Sequence, residues 1–280
     1  MIRSLAWFQN SCALNSTQPM QAMLAGAQAH GIKICPNDMN ADAAVIWSVL
    51  WYGRMAPNQE IYHKFRRQNK PVFIVEVGTL IRNVTWKISL NHVNALGHYG
   101  HKHNLDFDRP QKLGVNLCNQ IANNGKIIIA SQHAHSLLVQ DLISQEDWIN
   151  QKINEVKLWS DRPIVVRPHP RSRIDASKIL GNVEIQLPKK ILDTYDSFDF
   201  SLNYHAVINY NSGPGIQAAI GGVRPCVDTS SLAHPVSINL SDIEKIYDID
   251  RTQWFIELCH TEYLISELAQ GIWYERLIHG

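Results

Sequence analysis

Between Ser4 and Glu76, apolar runs of strand length alternate with single amphipathic helices, and this alternation restricts the fold more than any other feature. Ser4–Phe8 reads as a strand. Thr17 caps a helix with Pro19 in its first turn, Met20, Met23, Leu24 and Ala27 on its apolar face and Gly31 as its stop. Ile32–Cys35 and Ala43–Trp47 are the next strands, Asn58–Gln68 is a helix with Ile61 and Phe65 inward, and Pro71–Glu76 is a further apolar run. Strands separated by single helices cannot be hairpin neighbours, so the spacing predicts a parallel α/β sheet.

The rhythm breaks over residues 83–124, which are rich in Asn, His, Gly and Asp and contain Asp108-Arg109-Pro110, and the stretch reads as an irregular crossover. It restarts with Lys126–Ala130 as strand, Glu146–Trp159 as helix, and Pro163–Arg167, Val183–Gln186 and Ala206–Tyr210 as strands. A short helix at Ile216–Ile220 and a strand at Pro225–Val227 follow. Trp254, Leu258, Leu264 and Leu268 lie at helical spacing in the C-terminal segment. With 280 residues, 45% of them hydrophobic, the chain supports two cores. We expect an N-terminal domain over 1–124, a second over 125–260, and a helix over 261–280 that returns to the first.

Bulk charge excludes little: the net charge of +1 gives no global attraction to nucleic acid or anionic lipid, although a local basic patch is still compatible with phosphate. Cys12, Cys35, Cys118, Cys226 and Cys259 are widely spaced without a C-x-x-C pair and read as buried thiols in a reducing compartment. No apolar stretch approaches the roughly 20 residues of a membrane span, and no signal peptide is visible, so a cytoplasmic protein is expected. His98, His101 and His103 invite a metal reading, but they lie in a Gly- and Asn-rich loop without Cys or an acidic pair. The run from Lys64 to Lys70 reads as a solvated face favouring a helix C-terminus.

Open parallel sheets bind ligands beyond the C-terminal ends of their strands. Two such ends carry marked chemistry. Arg167-Pro168-His169-Pro170-Arg171-Ser172-Arg173 follows a strand, and guanidinium forks match phosphate oxygens, with the prolines expected to hold the loop extended. A solvated basic loop fits the composition equally well. Asn211-Ser212-Gly213-Pro214-Gly215 joins a strand to a helix N-terminus, where backbone N–H groups meet anions; an ordinary capped turn is the alternative. Neither a P-loop nor G-x-G-x-x-G is present.

Together these two motifs, with Ala218, Gly221 and Gly222 after the second, resemble the donor-binding half of the two-Rossmann (GT-B) glycosyltransferases. The resemblance is to the His-Pro branch containing bacterial capsule Kdo transferases and sialyltransferases. It implies two Rossmann-like domains facing across a cleft, no metal requirement, and a UDP- or CMP-sugar donor. Its donor-binding residues here would be Arg167, His169, Arg171, Asn211, Ser212 and Gly213, with Gln132 and His133 after the first strand of the second domain in support. The branch also carries an acidic-Asp-Gly motif followed by an Arg. Glu76-Val77-Gly78 and Arg82 match it in spacing, with Val77 where the family has Asp. Glu76 is then the carboxylate left to act as base, and Arg82 the charge-stabilising or acceptor residue.

A looser similarity to phage-encoded proteins runs through Asn91-His92, Asp108-Arg109, Trp254, Glu267, Gly271 and Trp273. It favours as acceptor a hydroxymethylated pyrimidine in duplex DNA, which must be exposed from the duplex to react. The alternatives are a surface-polysaccharide transferase using a CMP-activated acid sugar, an inactive nucleotide-binding module as Val77 suggests, and an epimerase-like enzyme acting on the nucleotide sugar itself.

Overall fold

The structure, a computed structural model, describes residues 2–121, 125–139, 143–191, 194–195, 204–245 and 248–279. The chain forms two compact α/β units, one of Met1–Val115 with Phe255–Gly280 and one of Asn116–Trp254. The boundary expected at residue 124 falls outside the described residues.

The first stretch contains β1 (Ser4–Trp7), α1 (Thr17–Ala29), β2 (Lys33–Pro36), β3 (Ala43–Trp47), α2 (Asn58–Arg67), β4 (Val72–Val77), β5 (Trp86–Leu90) and α3 (Arg109–Leu113). Every residue of β3 is buried, as is every residue from Val72 to Val75 in β4. Continuous burial of this kind needs helices on both faces, which is why these strands read as unbroken apolar runs. α1 buries Pro19, Met20, Met23, Leu24 and Ala27, the face its periodicity predicts.

The second unit contains β6 (Lys126–Ala130), α4 (Gln145–Lys157), β7 (Ile164–Arg167), β8 (Glu184–Ile185), β9 (Lys190–Ile191), β10 (Thr194–Tyr195), β11 (Tyr204–Asn209), α5 (Gly213–Ile220) and β12 (Arg224–Val227). Among the described residues its main sheet runs β12-β11-β6-β7-β8, parallel throughout, and β9 and β10 form a separate antiparallel pair. Trp148, Ile149, Ile153 and Val156 of α4 close its core against Ile127, Ile129 and Val166.

The C-terminal segment departs from the single helix its spacing predicts. It divides into α6 (Thr252–Cys259), β13 (Glu262–Tyr263), α7 (Ile265–Gln270) and α8 (Ile272–His279). The interruption arises because Glu262 and Tyr263 pair antiparallel with Lys87 and Trp86 of β5 and complete the first sheet, ordered β13-β5-β4-β3-β1-β2. Trp273 of α8 is fully buried and meets the Phe73 ring edge-on at 5.1 Å, so the end of the chain is part of the first unit's core.

Residues 83–121 are more ordered than their composition suggests. β5 pairs antiparallel with β4, and α3 places Arg109 in the interior. The Arg109 guanidinium donates to the carbonyls of Cys259 (3.1 Å) and Glu262 (2.6 Å) and to both carboxylate oxygens of Glu267. Asn91 turns the chain after β5 at φ 66°, its Oδ1 accepting from Val72 N–H at 3.0 Å and its carbonyl from Tyr62. The thiols are free, but only Cys12, Cys226 and Cys259 are buried; Cys35 is partly exposed because it lies on the edge strand β2, and Cys118 is exposed in the segment after α3. No described helix is long and apolar enough to cross a membrane.

Candidate functional site

In the second unit, the ends of β6, β7 and β11 are tied into one polar network. Asn209, the last residue of β11, donates from Nδ2 to the Ala130 carbonyl at the end of β6 (2.8 Å) and to Ser212 Oγ (3.0 Å). Its Oδ1 accepts from the Ser212 N–H at 2.8 Å. The Ser212 hydroxyl therefore faces back to Asn209 and makes no cap bond to α5, although Ser212 is the N-cap residue. The first N–H groups of α5 are left without a side-chain cap, the arrangement in which a helix start accepts an anion. A Cβ on Gly215 would stand 2.5 Å from Val227 Cγ1, so this turn packs against β12 only with glycine there.

Gln132 Oε1 accepts from the Asn211 N–H at 2.6 Å, joining the segment after β6 to the turn before α5. Asn211 Nδ2 donates to Ser230 Oγ at 2.8 Å, and Ser230 donates in turn to Asp228 Oδ1 at 2.6 Å. Asn211 Oδ1 is buried and accepts no hydrogen bond from the described residues. An unused acceptor at a strand end is the kind of group a ligand hydroxyl or amine satisfies.

Gln145 at the start of α4 fastens the Arg167–Arg173 loop to β6. Its Nε2 donates to Ser131 Oγ (2.5 Å) and the Gln132 carbonyl (2.9 Å), while its Oε1 accepts from Ser172 Oγ (3.1 Å). The loop is not extended, as its prolines suggest, but turns tightly: Ser172 N–H closes on the His169 carbonyl at 3.0 Å, an alignment the bond to Gln145 reinforces. The His133 and His169 rings meet edge-on at 5.1 Å. His133 Nδ1 accepts from His135 N–H, and His169 Nδ1 from Arg171 N–H, both at 3.1 Å. An Nδ1 occupied as an acceptor puts the ring proton on Nε2, so each neutral imidazole presents an Nε2–H donor. Burial lowers the His133 pKa, with the charges of His135 and Arg171 acting in the same direction. Arg167 is buried and donates to Gln186 Oε1 at 3.3 Å, whereas Arg171 and Arg173 are exposed. Gln132, His133, His169, Asn211, Ser212 and Gly213 thus belong to one contiguous strand-end network within this unit.

In the first unit, Glu76 lies at the end of β4, partly exposed, and its Oε2 accepts from the Ser48 hydroxyl at 2.8 Å. Desolvation raises the Glu76 pKa, against the Ser48 hydrogen bond and the Lys87 charge, which lower it. Ser48 follows β3 at φ 63°. The other described non-glycine residues at positive φ are all Asn, which tolerates that region; a serine held there beside a carboxylate marks a strained strand end of the kind found at functional sites. Arg82 is exposed in the segment after β4.

The histidine-rich segment is structural in its contacts. Burial pushes the His101 pKa down to about 4, with Lys102 adding to the effect, and its ring meets Tyr99 edge-on. The His103 carbonyl accepts from Arg276. Among the described residues, no three His, Cys, Asp or Glu side chains gather to hold a metal ion.

The sequence reading missed Ser48, Gln145 and Asn209. Ser48 and Asn209 sit at strand C-termini, the position that singled out the other candidates. Gln145 carries no such signal, since its role depends on where α4 packs.

No protein-family profile and no curated protein sequence matches the chain. Solved structures that share its fold include two Kdo transferases. The Thermosulfurimonas dismutans KpsC β-Kdo 2,7 transferase aligns with a TM-score of 0.54 at 10% identity, over 96% of this chain and 98% of that one. The β-Kdo 2,4 transferase of KpsC from the same organism aligns with a TM-score of 0.50 at 10% identity, over 94% and 91%.

Proposed function

We propose that the chain is a glycosyltransferase that moves a sugar from a nucleotide donor, held by the second unit, to a hydroxyl of a saccharide acceptor. The observation that carries this reading is the network of Asn209, Asn211, Gln132, His133 and His169 around an uncapped helix start. Imidazole and helix N–H donors stabilise negative charge growing on a leaving phosphate, which is the electrostatic demand of glycosyl transfer. Arg171 supplies an exposed positive charge at the rim, and Arg167 supports the strand end.

In the reaction, the acceptor oxygen bonds to the anomeric carbon as the bond from that carbon to the donor phosphate breaks. The electron pair leaves with the nucleotide, and the acceptor proton passes to the Glu76 carboxylate. A carboxylate whose pKa is raised by burial is a better base for this transfer.

A saccharide acceptor is favoured over DNA because the two structures described above are Kdo transferases. The donor that goes with it in this reading is a CMP-activated acid sugar. Several residues that suggested hydroxymethylated DNA hold the fold instead: Asn91 turns the chain, Arg109 and Glu267 pair, and Trp273 fills the core.

A thermal-shift screen with CMP, UDP and GDP tests the donor site. CMP is expected to raise the melting temperature in wild type and not in His169→Ala or Asn211→Ala; no shift with any nucleotide refutes the reading. Transfer from a CMP-sugar is expected to survive EDTA and to disappear in Glu76→Gln. Nucleotide binding without transfer by the wild type would identify an inactive binding module.

A further inference from the structure

The first unit holds a set of buried charges next to Glu76 that the transfer step leaves unexplained. Lys87 of β5 is directly opposite Glu76 in the β4–β5 ladder and directly opposite Glu262 in the β5–β13 ladder. Opposed residues project from the same face of a sheet, so one ammonium stands between two carboxylates on adjacent strands. Lys87 is 5% exposed and Glu262 is 0% exposed.

The two carboxylates are served unequally. Glu262 accepts from the N–H groups of Thr79 (2.6 Å) and Leu80 (3.1 Å) and from the Thr85 hydroxyl (2.6 Å). Lys87 Nζ lies 3.9 Å from Glu262 Oε1 and donates to Thr79 Oγ1 at 3.1 Å. Among the described residues no ion pair within 4.0 Å joins Lys87 to Glu76, whose direct side-chain donor is Ser48. The turn that delivers the Thr79 and Leu80 amides begins at Gly78, where a Cβ would overlap the Thr85 carbonyl and stand 2.6 Å from Glu262 Oε2. The remaining titratable group that senses both carboxylates is Tyr99, itself buried.

We propose that Lys87 and Glu262 are positioning residues for Glu76: Glu262 draws the Lys87 ammonium toward Thr79 and thereby limits how strongly Lys87 competes with a proton for the Glu76 carboxylate. The C-terminal strand β13 then helps decide the protonation of a group on β4. Glu262 acts on the Lys87 charge more strongly than Glu76 does. Desolvation lowers the Lys87 pKa, opposed first by Glu262 and then by Glu76. The consequence for catalysis rests on Glu76 acting as the base, but the arrangement itself can be read without any turnover.

The test is a titration of the Glu76 carboxyl carbon by NMR in the full chain with carbon-13-labelled glutamate, the resonance being assigned from its loss in Glu76→Gln. Lys87→Met is expected to raise the Glu76 midpoint by about 1 pH unit, the lower end of the effect of an opposite charge a few ångströms away. Glu262→Gln is expected to lower it, because Lys87 is released and a neighbouring negative charge is lost. Thr79→Val, which removes the hydroxyl that holds Lys87 but leaves Glu262 in place, is expected to lower it by less and serves if Glu262→Gln does not fold. A midpoint in Lys87→Met within about 0.2 unit of wild type, or movement in the same direction in Lys87→Met and the other variants, overturns the proposal. In an active enzyme the acid limb of the rate profile follows these shifts. Shifted midpoints in a chain that transfers no sugar would refute the transferase reading and leave this proposal standing. A working transferase whose Glu76 ignores Lys87 would do the reverse.

Discussion

Asn209→Ala should loosen the candidate donor site and destabilise the second unit together. Asn209 is 2% exposed, and its side chain bridges the end of β6 to the turn before α5. Its removal leaves the Ala130 carbonyl and the Ser212 N–H without the partners they have at 2.8 Å each, and it frees the Ser212 hydroxyl. An orphaned buried polar group costs about 1–3 kcal/mol, and because Ser212 is half-buried water replaces part of its loss. The two groups together give a destabilisation of about 2–4 kcal/mol. With a urea m-value of about 2 kcal/mol/M, the midpoint of the second unit's transition should fall by about 1–2 M. Fluorescence of Trp148, Trp159 and Trp254 reports that unit, and the transition of the first unit should stay in place. Nucleotide affinity should fall as well, since Asn209 no longer holds Ser212 in place before α5. A midpoint displaced by less than about 0.3 M would refute the view that Asn209 clamps these strand ends.

Gly78→Ala should pull the Thr79 and Leu80 amides away from Glu262 and cost about 2–3 kcal/mol, seen as faster hydrogen exchange at those two amides. Arg109→Met leaves two carbonyls without this donor and Glu267 with only the Leu264 N–H, and should destabilise the first unit by about 3 kcal/mol; Arg109→Met with Glu267→Leu should recover part of it, as measured by urea unfolding. Glu76→Gln should lose transfer yet gain stability at neutral pH. The folded pKa of Glu76 is raised above its unfolded value, so its stabilising contribution is present below the ordinary carboxylate range and is lost as pH rises through the raised value. Stability curves of wild type and Glu76→Gln should therefore converge at about pH 4 and separate toward pH 7, the variant lying above.

The strand-helix alternation fixed much of this molecule locally. Buried runs such as Ala43–Trp47 and Val72–Val75 have no stable place except inside a sheet covered on both faces, and the residues at the C-terminal ends of its parallel strands are forced to its ligand-binding edge. For that reason His169, Asn211, Ser212 and Glu76 are legible as candidates in the sequence. Trp254, Leu258, Leu264 and Leu268 have helical spacing, yet the segment breaks at Glu262 because pairing with β5 and four hydrogen-bond or charge partners outweigh local helix propensity. No neighbouring residue announces those partners, which lie some 180 positions earlier in the chain at Thr79 and Leu80. Lys87 likewise reads as an ordinary lysine in a short strand until antiparallel pairing sets it between two carboxylates. Periodicity and strand-end chemistry are properties of a few consecutive residues, so sequence determined them alone. Which distant charge lies against which is settled by packing, and only the tertiary structure decided it.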